Sequence, residues 1–294
     1  MDLSLSKPQT SPASAKMRTE VTVKENLLRT FKQWGKGIYH AMPEGALRRW
    51  TTTLAYRQIY GKALAGCTWR NGSFVVSTRD GIEVRTVRDF DPESLAGDFH
   101  GLALPANAVI MDVGSNIGAV TLYWAARVGA KGRVIAYEPD PDNLALLGRN
   151  LDLNGKPAQV TLVPQGISDH EGTVTFFAGG TYTSSCEETD NVQGAPGNYR
   201  KIEIPVTTLD AEGTRLALSR LDFVKIDIEG SEVAALRGAR ALLERFHPTL
   251  YIETHIVKGQ RTDDAVEGLL KEYGYRRIVR KMLVDTAAIF AGFA

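Results

Sequence analysis

Two strand patterns in the second half of the chain end in residues able to hold or move a proton. Leu221 to Ile226 leads into Asp227-Ile228-Glu229, and Thr249 to Glu253 leads into Thr254 and His255. The two segments read as the fourth and fifth main strands of an alternating strand–helix pattern. In a doubly wound sheet, functional groups gather at the carboxyl ends of such strands. Asp227, Glu229 and His255 are therefore the candidate catalytic residues. An unperturbed histidine changes charge near neutral pH and suits general acid–base work, while the acids suit positioning or proton acceptance. Glu229 could equally cap the helix that follows. Asp227, Glu229, Glu253 and His255 also carry donors suited to a divalent ion, two of them on one short loop. That possibility stays open, with no metal ligand assigned.

A second constellation lies upstream. Val109 to Val113 reads as a buried strand, and a turn with Gly114 and Gly118 follows before a helical pattern with Val120, Leu122 and Ala126 on one side. Strand, glycine turn and helix form the entry to a nucleotide-type site, where a ligand approaches the backbone and the helix start offers unpaired N–H groups. The turn reads Asp112-x-Gly114-x-Asn116-x-Gly118. The dinucleotide fingerprint needs glycine where Asn116 stands, so that a pyrophosphate can touch the backbone. Asn116 thus disfavours a nicotinamide dinucleotide and favours S-adenosylmethionine, whose adenosine carries no phosphate. A second buried run, Arg133 to Tyr137, ends in Glu138, placed to accept both ribose hydroxyl hydrogen bonds.

These residues need a scaffold. The chain has 294 residues, enough for one large domain with an appendage, and its 43% hydrophobic and 23% charged content is that of a soluble globular protein. A net charge of +1 provides no overall field for nucleic acid. The two cysteines, Cys67 and Cys186, lack metal-site spacing and suit a reducing compartment. No run approaches membrane-spanning length and the start lacks a signal-peptide core, so a cytoplasmic protein is expected.

Along the chain, residues 1–19 read as a disordered leader and 20–70 as a helical arm. Within the arm, Leu27, Leu28, Phe31 and Trp34 share one face, and Leu47, Trp50, Leu54 and Ile59 another. The arm is rich in Lys and Arg, which suits capping of the main domain, homo-oligomer contact or peripheral contact with an anionic membrane. Residues 71–107 contain a hairpin, Ser73–Thr78 with Ile82–Val87 about Arg79-Asp80-Gly81, and a connection. From residue 108 to 294 strands and helices alternate, which implies an α/β fold with a doubly wound, mostly parallel sheet. Asp140 with Pro141 begins a helix striped by Leu144, Leu147 and Leu151. One helix is expected after Gly230-Ser231, with Val233, Leu236 and Leu243 inward. Tyr275–Lys281 and Thr286–Phe293 close the chain as a strand pair. Residues 178–200 form a Gly/Ser/Thr/Asn-rich insert that reads as a substrate lid.

Five segments taken together resemble the FkbM family of S-adenosylmethionine-dependent methyltransferases: Asp112–Gly118, Tyr137-Glu-Pro-Asp-Pro141, Gly166-Ile-Ser-Asp169, Thr208-Leu-Asp210 and Val224-Lys-Ile-Asp-Ile-Glu-Gly-Ser-Glu232. The resemblance covers about residue 71 onward and not the arm. It implies a class I methyltransferase-like fold and transfer of a methyl group to a hydroxyl of a sugar, glycolipid or polyketide-type acceptor. It also implies that Asp112, Gly114, Ser115, Asn116, Gly118, Glu138 and Pro139 hold the cofactor. Gly166, Ile167 and Ser168 would border the adenine, and Asp227 would stand near the cofactor as well as the acceptor. On this reading His255, neutral near pH 7, removes the acceptor proton. A small-molecule or glycan- or lipid-linked partner is expected, and no nucleic acid, because the loop after the fourth main strand is Ile-Asp-Ile-Glu-Gly rather than Pro-Pro-Tyr-like. A cofactor-binding scaffold without turnover, or transfer to a carboxylate or amine, remain the alternatives.

Overall fold

Asn71-Gly72 fixes the first local structure. Both residues hold positive φ, 50° and 78°, as a two-residue type I′ turn requires. Across it β1 (Cys67–Arg70) pairs antiparallel with β2 (Ser73–Ser77), and β3 (Glu83–Thr86) follows antiparallel to β2. The expected hairpin is thus the second of two. Strand structure begins at Cys67, within residues read as arm, because Asn-Gly turns the chain back on itself. The computed structural model describes residues 66–92, 95, 97–179, 184–186, 199–283 and 286–293. The leader, the arm up to residue 65 and most of the insert lie outside the described residues.

The alternation expected from residue 108 is present as β4 (Val109–Val113), α1 (Ala119–Arg127), β5 (Arg133–Tyr137), α2 (Pro141–Leu153) and β6 (Val160–Val163). A small sheet follows in β7 (Gly166–Ile167), β8 (Gly172–Ala178) and β9 (Arg200–Thr207), in order β7-β9-β8. The chain returns through α3 (Leu209–Arg215) to β10 (Phe223–Ile226), α4 (Glu232–Arg237), α5 (Arg240–Phe246) and β11 (Thr249–Thr254). A two-residue-stranded hairpin, β12 (Ile256–Val257) and β13 (Gln260–Arg261), precedes α6 (Asp263–Glu272), β14 (Arg277–Met282) and β15 (Ala287–Gly292). The main sheet has the order β14-β15-β11-β10-β4-β5-β6. β11, β10, β4, β5 and β6 are mutually parallel, and β15 runs antiparallel to β11 and β14. Strand order reverses between β4 and β10, which makes the carboxyl ends of those two strands the switch point. Among the described residues no helix is long and apolar enough to cross a membrane.

Local departures from the sequence reading have physical causes. On α1, Ala126 is exposed and Val120 half-buried, while Thr121, Leu122, Tyr123, Trp124 and Ala125 are buried. The helix is covered on two sides, by β4 and β5 and by β3, so its buried face is wider than one stripe. Trp124 packs between Phe99 and Phe223, with centroids 5.0 and 4.9 Å away. The helix expected after Ser231 is two helices, broken at Gly238. A Cβ on Gly238 would lie 2.2 Å from the Ser168 carbonyl, so the chain must pass there without a side chain. The start of α5 is then capped from a distance by Asp210, whose carboxylate accepts from Ala241 N at 3.1 Å and Leu242 N at 2.7 Å. Val233 is only half-buried, and Glu232 takes the fully buried position beside it.

Of the stripe on α2 only Leu147 is fully buried; two asparagines dock the same helix to β3. Asn150 accepts from Val87 N at 2.7 Å and donates to the Ile117 carbonyl at 2.7 Å. Asn154 accepts from Arg85 N and donates back to its carbonyl. The outer edge of β3 is thus satisfied by side chains instead of a fourth strand. Asn150→Ala leaves a buried N–H and a buried carbonyl without partners, at about 1–3 kcal/mol each before relaxation. Urea unfolding of the full chain should show a loss of about 2–4 kcal/mol; a loss under 0.5 kcal/mol would mean that the docking carries no weight.

Candidate active site

The glycine turn is bound to its neighbours on both sides. Gly114 N and Ser115 N donate to the Tyr137 carbonyl at 3.0 and 2.9 Å. Gly114, at φ 81°, lies so close to the end of β10 that a Cβ would stand 1.9 Å from the Asp227 carbonyl oxygen. Asn116 also holds positive φ, 53°, a conformation that asparagine tolerates better than most residues. Its backbone N–H donates to Glu138 Oε2 at 2.8 Å. Glu138 Oε1 accepts from Asp140 N at 2.9 Å and Asn143 Nδ2 at 3.3 Å. Burial pushes the Glu138 carboxyl up to about 7, against the lowering effect of these donors.

Glu138 and the turn open into a cleft of about 650 Å³, mouth included, with Gly114, Asn116, Pro139, Gly166, Ile167, Asp227 and Glu229 on its walls. These are the sequence-derived candidates that the fold brings together. Asp112, Ser115 and Gly118 lie behind the wall. Asp112 is fully buried and accepts from Thr121 at 2.6 Å. Ser115 Oγ bonds the Asp112 and Tyr137 carbonyls, and Gly118 lets the start of α1 approach Leu147. They shape the turn and do not face the cleft. Ser168 is likewise off the wall, its hydroxyl 3.3 Å from Asp169.

The geometry fits an adenosine-bearing ligand. Asn143 Oδ1 is buried beside Glu138 without a hydrogen bond among the described residues, and Asn143 lines the cleft. An orphaned acceptor next to a carboxylate is what a pair of ribose hydroxyls would satisfy. Phe176, on β8, supplies an apolar patch. From the insert, Ser184 donates to Asp140 at 2.5 Å and Ser185 to the Glu229 carbonyl at 2.6 Å. The described part of the insert therefore folds onto the rim of the cleft. Asn143 and Phe176 carried no signal of their own in the sequence, since an asparagine on a helix and a phenylalanine on a strand are common.

Lys225, quoted in a motif of the sequence without a task, stands directly behind the candidate site. Its ammonium is buried, donates to the Gly114 carbonyl at 2.9 Å, and lies 3.2 Å from Asp227 Oδ2 and 3.7 Å from Asp112 Oδ1. Burial opposes its charge, but Asp227 and Asp112 outweigh that and hold its pKa above the ordinary value. Burial likewise opposes the Asp227 charge, and Lys225 followed by His255 holds its carboxyl below the usual range. The residue pair Lys225 and Asp112 is adjacent in the β10–β4 register, so both side chains leave the same face.

His255 stands 5% exposed at the end of β11. The β12–β13 hairpin returns the chain so that Thr262 bonds the His255 backbone at N and O, at 3.3 and 3.0 Å. Its Nδ1 is 2.8 Å from Glu232 Oε1, and its Nε2 is 3.6 Å from Glu229 Oε2 and 3.8 Å from Asp227 Oδ1. Burial opposes its charge, but the Glu232 hydrogen bond and charge, then Glu229 and Asp227, push its pKa up to about 10. Three carboxylates around the ring favour its charged form, where the sequence led to the expectation of a neutral histidine near pH 7. Glu253 points elsewhere, accepting from Thr286 at 2.9 Å.

A raised histidine pKa contributes stability that is complete below its ordinary 6.5 and lost as pH rises through about 10. In protein stripped of metal, the His255 ring resonances should therefore stay in the charged form from pH 5.5 to about 8.5. An NMR titration step near pH 6.5 would show that the carboxylates do not hold the proton.

A family model described as the methyltransferase FkbM domain matches residues 112–277. The AMB antimetabolite synthetase AmbE of Pseudomonas aeruginosa is 31% identical over 62% of this chain and 10% of its own length. The hexuronic acid methyltransferase AglP of Haloferax volcanii is 29% identical over 46% of this chain and 52% of its own. The crystal structure of a methyltransferase FkbM from Methylobacillus flagellatus is 23% identical, with a TM-score of 0.45, over 65% of this chain and 45% of that one. The chain thus spans about a tenth of AmbE and about half of each of the other two.

Proposed function

The chain belongs to the FkbM family of S-adenosylmethionine-dependent methyltransferases, and from that premise we propose that it methylates a hydroxyl oxygen of a small-molecule or glycan- or lipid-linked acceptor. The observation that carries this reading is the cluster of Asp227, Glu229 and His255, two of whose members stand on the wall of the cleft that Glu138 enters. An alcohol is a weak nucleophile, and its transfer chemistry needs a group within hydrogen-bond reach to take the proton. Transfer to a softer or already ionised acceptor has no such need. The relative AglP is a hexuronic acid methyltransferase by name, and such an acid offers hydroxyl and carboxylate oxygens alike.

S-adenosylmethionine, when bound, supplies a methyl group activated by a sulfonium. Glu138 and Asn143 would hold the ribose, Gly114 and Asn116 the amino-acid side of the turn, and Pro139, Gly166 and Ile167 the adenine. Asp227 keeps its charge against burial and so favours a cation nearby. With His255 charged, the proton acceptor passes from the histidine to the carboxylates that flank its Nε2. His255 would then orient those carboxylates, and the walls of the cleft would hold the acceptor oxygen in line and exclude water.

Three measurements separate the parts. Glu138→Ala should weaken S-adenosylmethionine binding at least about tenfold by calorimetry, since a hydrogen bond to a charged acceptor is worth about 1.5–3 kcal/mol. Glu229→Gln should keep cofactor affinity and lower turnover about 10²–10⁴-fold. With methyl-13C cofactor and a panel of sugars, uronic acids and phenols, the product carbon should resonate as a methoxy group. Label on carbon, nitrogen or a carboxylate would overturn the hydroxyl reading and leave the family assignment intact.

A further inference from the structure

We propose that Asp227, Glu229 and His255 bind one divalent cation of the Mn2+ or Zn2+ class, with the remaining coordination positions open to the cleft. One ligand atom from each residue lies within 4.8 Å of the other two. The His255 Nε2 distances are 3.6 Å to Glu229 Oε2 and 3.8 Å to Asp227 Oδ1. Those separations are too long for hydrogen bonds. Two ligands about 2.1 Å from a common ion, at angles of about 90–110°, stand roughly 3.0–3.5 Å apart, so each of the two His255 pairs comes within range by closing a few tenths of an ångström.

The histidine supplies independent support. Its ring is nine-tenths buried, and Nε2 makes no hydrogen bond among the described residues, although it points between two carboxylates. The other nitrogen is committed: Nδ1 bonds Glu232 Oε1 at 2.8 Å, and Glu232 is fully buried. A carboxylate behind a histidine fixes the ring at Nδ1, and an ion binding at Nε2 would replace the proton held there and release it to solvent. Glu232 is itself fixed, since its Oε1 also accepts from Gly230 N at 2.8 Å. Asp227 is divided in the same way, with Oδ2 held by Lys225 at 3.2 Å and Oδ1 turned toward His255. Two carboxylates and one imidazole suit borderline first-row divalent ions better than soft ones. Three protein ligands with open positions is the arrangement of a site that also takes an exogenous oxygen. The inference stands on this ligand geometry and does not rest on the acceptor being an alcohol.

The test uses the full chain, stripped with chelator and titrated with MnCl2 alone, bound ion being read by electron paramagnetic resonance and calorimetry; ZnCl2 forms a second arm. One equivalent of either ion should bind. Glu229→Gln and Asp227→Asn should abolish that equivalent, and Glu232→Gln should weaken it about 10–100-fold, while Glu253→Gln binds as the wild type does. Circular dichroism and thermal melting confirm folding; if Asp227→Asn fails to fold, Glu229→Gln and Glu232→Gln decide. Absence of a stoichiometric site for both ions at millimolar concentration, or equal binding in wild type, Glu229→Gln and Glu232→Gln, would overturn the assignment.

Discussion

One buried ammonium ties the candidate site to the sheet. Lys225 sits on β10 beside Asp112 of β4, and its three contacts reach the glycine turn, the strand interior and the first residue of the candidate catalytic loop. A charge in this position is costly unless it is paired, and removing one partner of a buried pair typically costs about 3–5 kcal/mol. The arrangement therefore serves position more than stability. It holds the Gly114 carbonyl against the end of β10, where the absent Cβ of Gly114 is already required. Cofactor turn and candidate catalytic loop cannot move apart without leaving that charge unsatisfied.

The second constraint is electrostatic. Asp227, Glu229 and Glu232 surround one histidine at the mouth of the sheet, and Glu253 stands one strand residue before Thr254. An excess of negative charge in a partly dry site stabilises whatever cation enters it. The Lys225 ammonium already stands in that field, 3.2 Å from Asp227, and the field favours the charged form of His255. A cationic cofactor group or a divalent ion would draw on the same field. The helices contribute by arrangement: α4 begins immediately after the loop and brings Glu232 behind the histidine, while the break at Gly238 lets α5 turn away toward Asp210.

The small sheets serve as walls. β3 closes its outer edge on Asn150 and Asn154 of α2, and α2 begins at Asp140, whose side chain caps Asp142 N. The same Asp140 backbone N–H bonds Glu138. The β1–β3 sheet, α2 and Glu138 are thus joined in one series of hydrogen bonds. The β7-β9-β8 sheet flanks the other side through Gly166, Ile167 and Phe176. Ser185, joined to Phe177 backbone to backbone, carries the described part of the insert across to Glu229.

The strands β4, β5, β10 and β11 were legible in the sequence because each is a short, mostly apolar run with little polar alternation, as a parallel sheet covered by helices demands. The Asp-x-Gly-x-Asn-x-Gly turn and the acid of Glu138 were legible because positive φ and close backbone approach restrict residue type. The hairpin that starts at Cys67 was signalled by Asn71-Gly72 and is as local as any turn. Lys225 behind the turn, Asn143 beside Glu138, and Asn150 and Asn154 docking β3 were not legible, for their partners lie far away in sequence and polar side chains carry no periodicity. The charge of His255 belongs to this second class. A histidine after a strand reads as a neutral base on its own. Only the fold brings Glu232, Glu229 and Asp227 around it, and a pKa is set by the field of neighbours that chain order does not reveal.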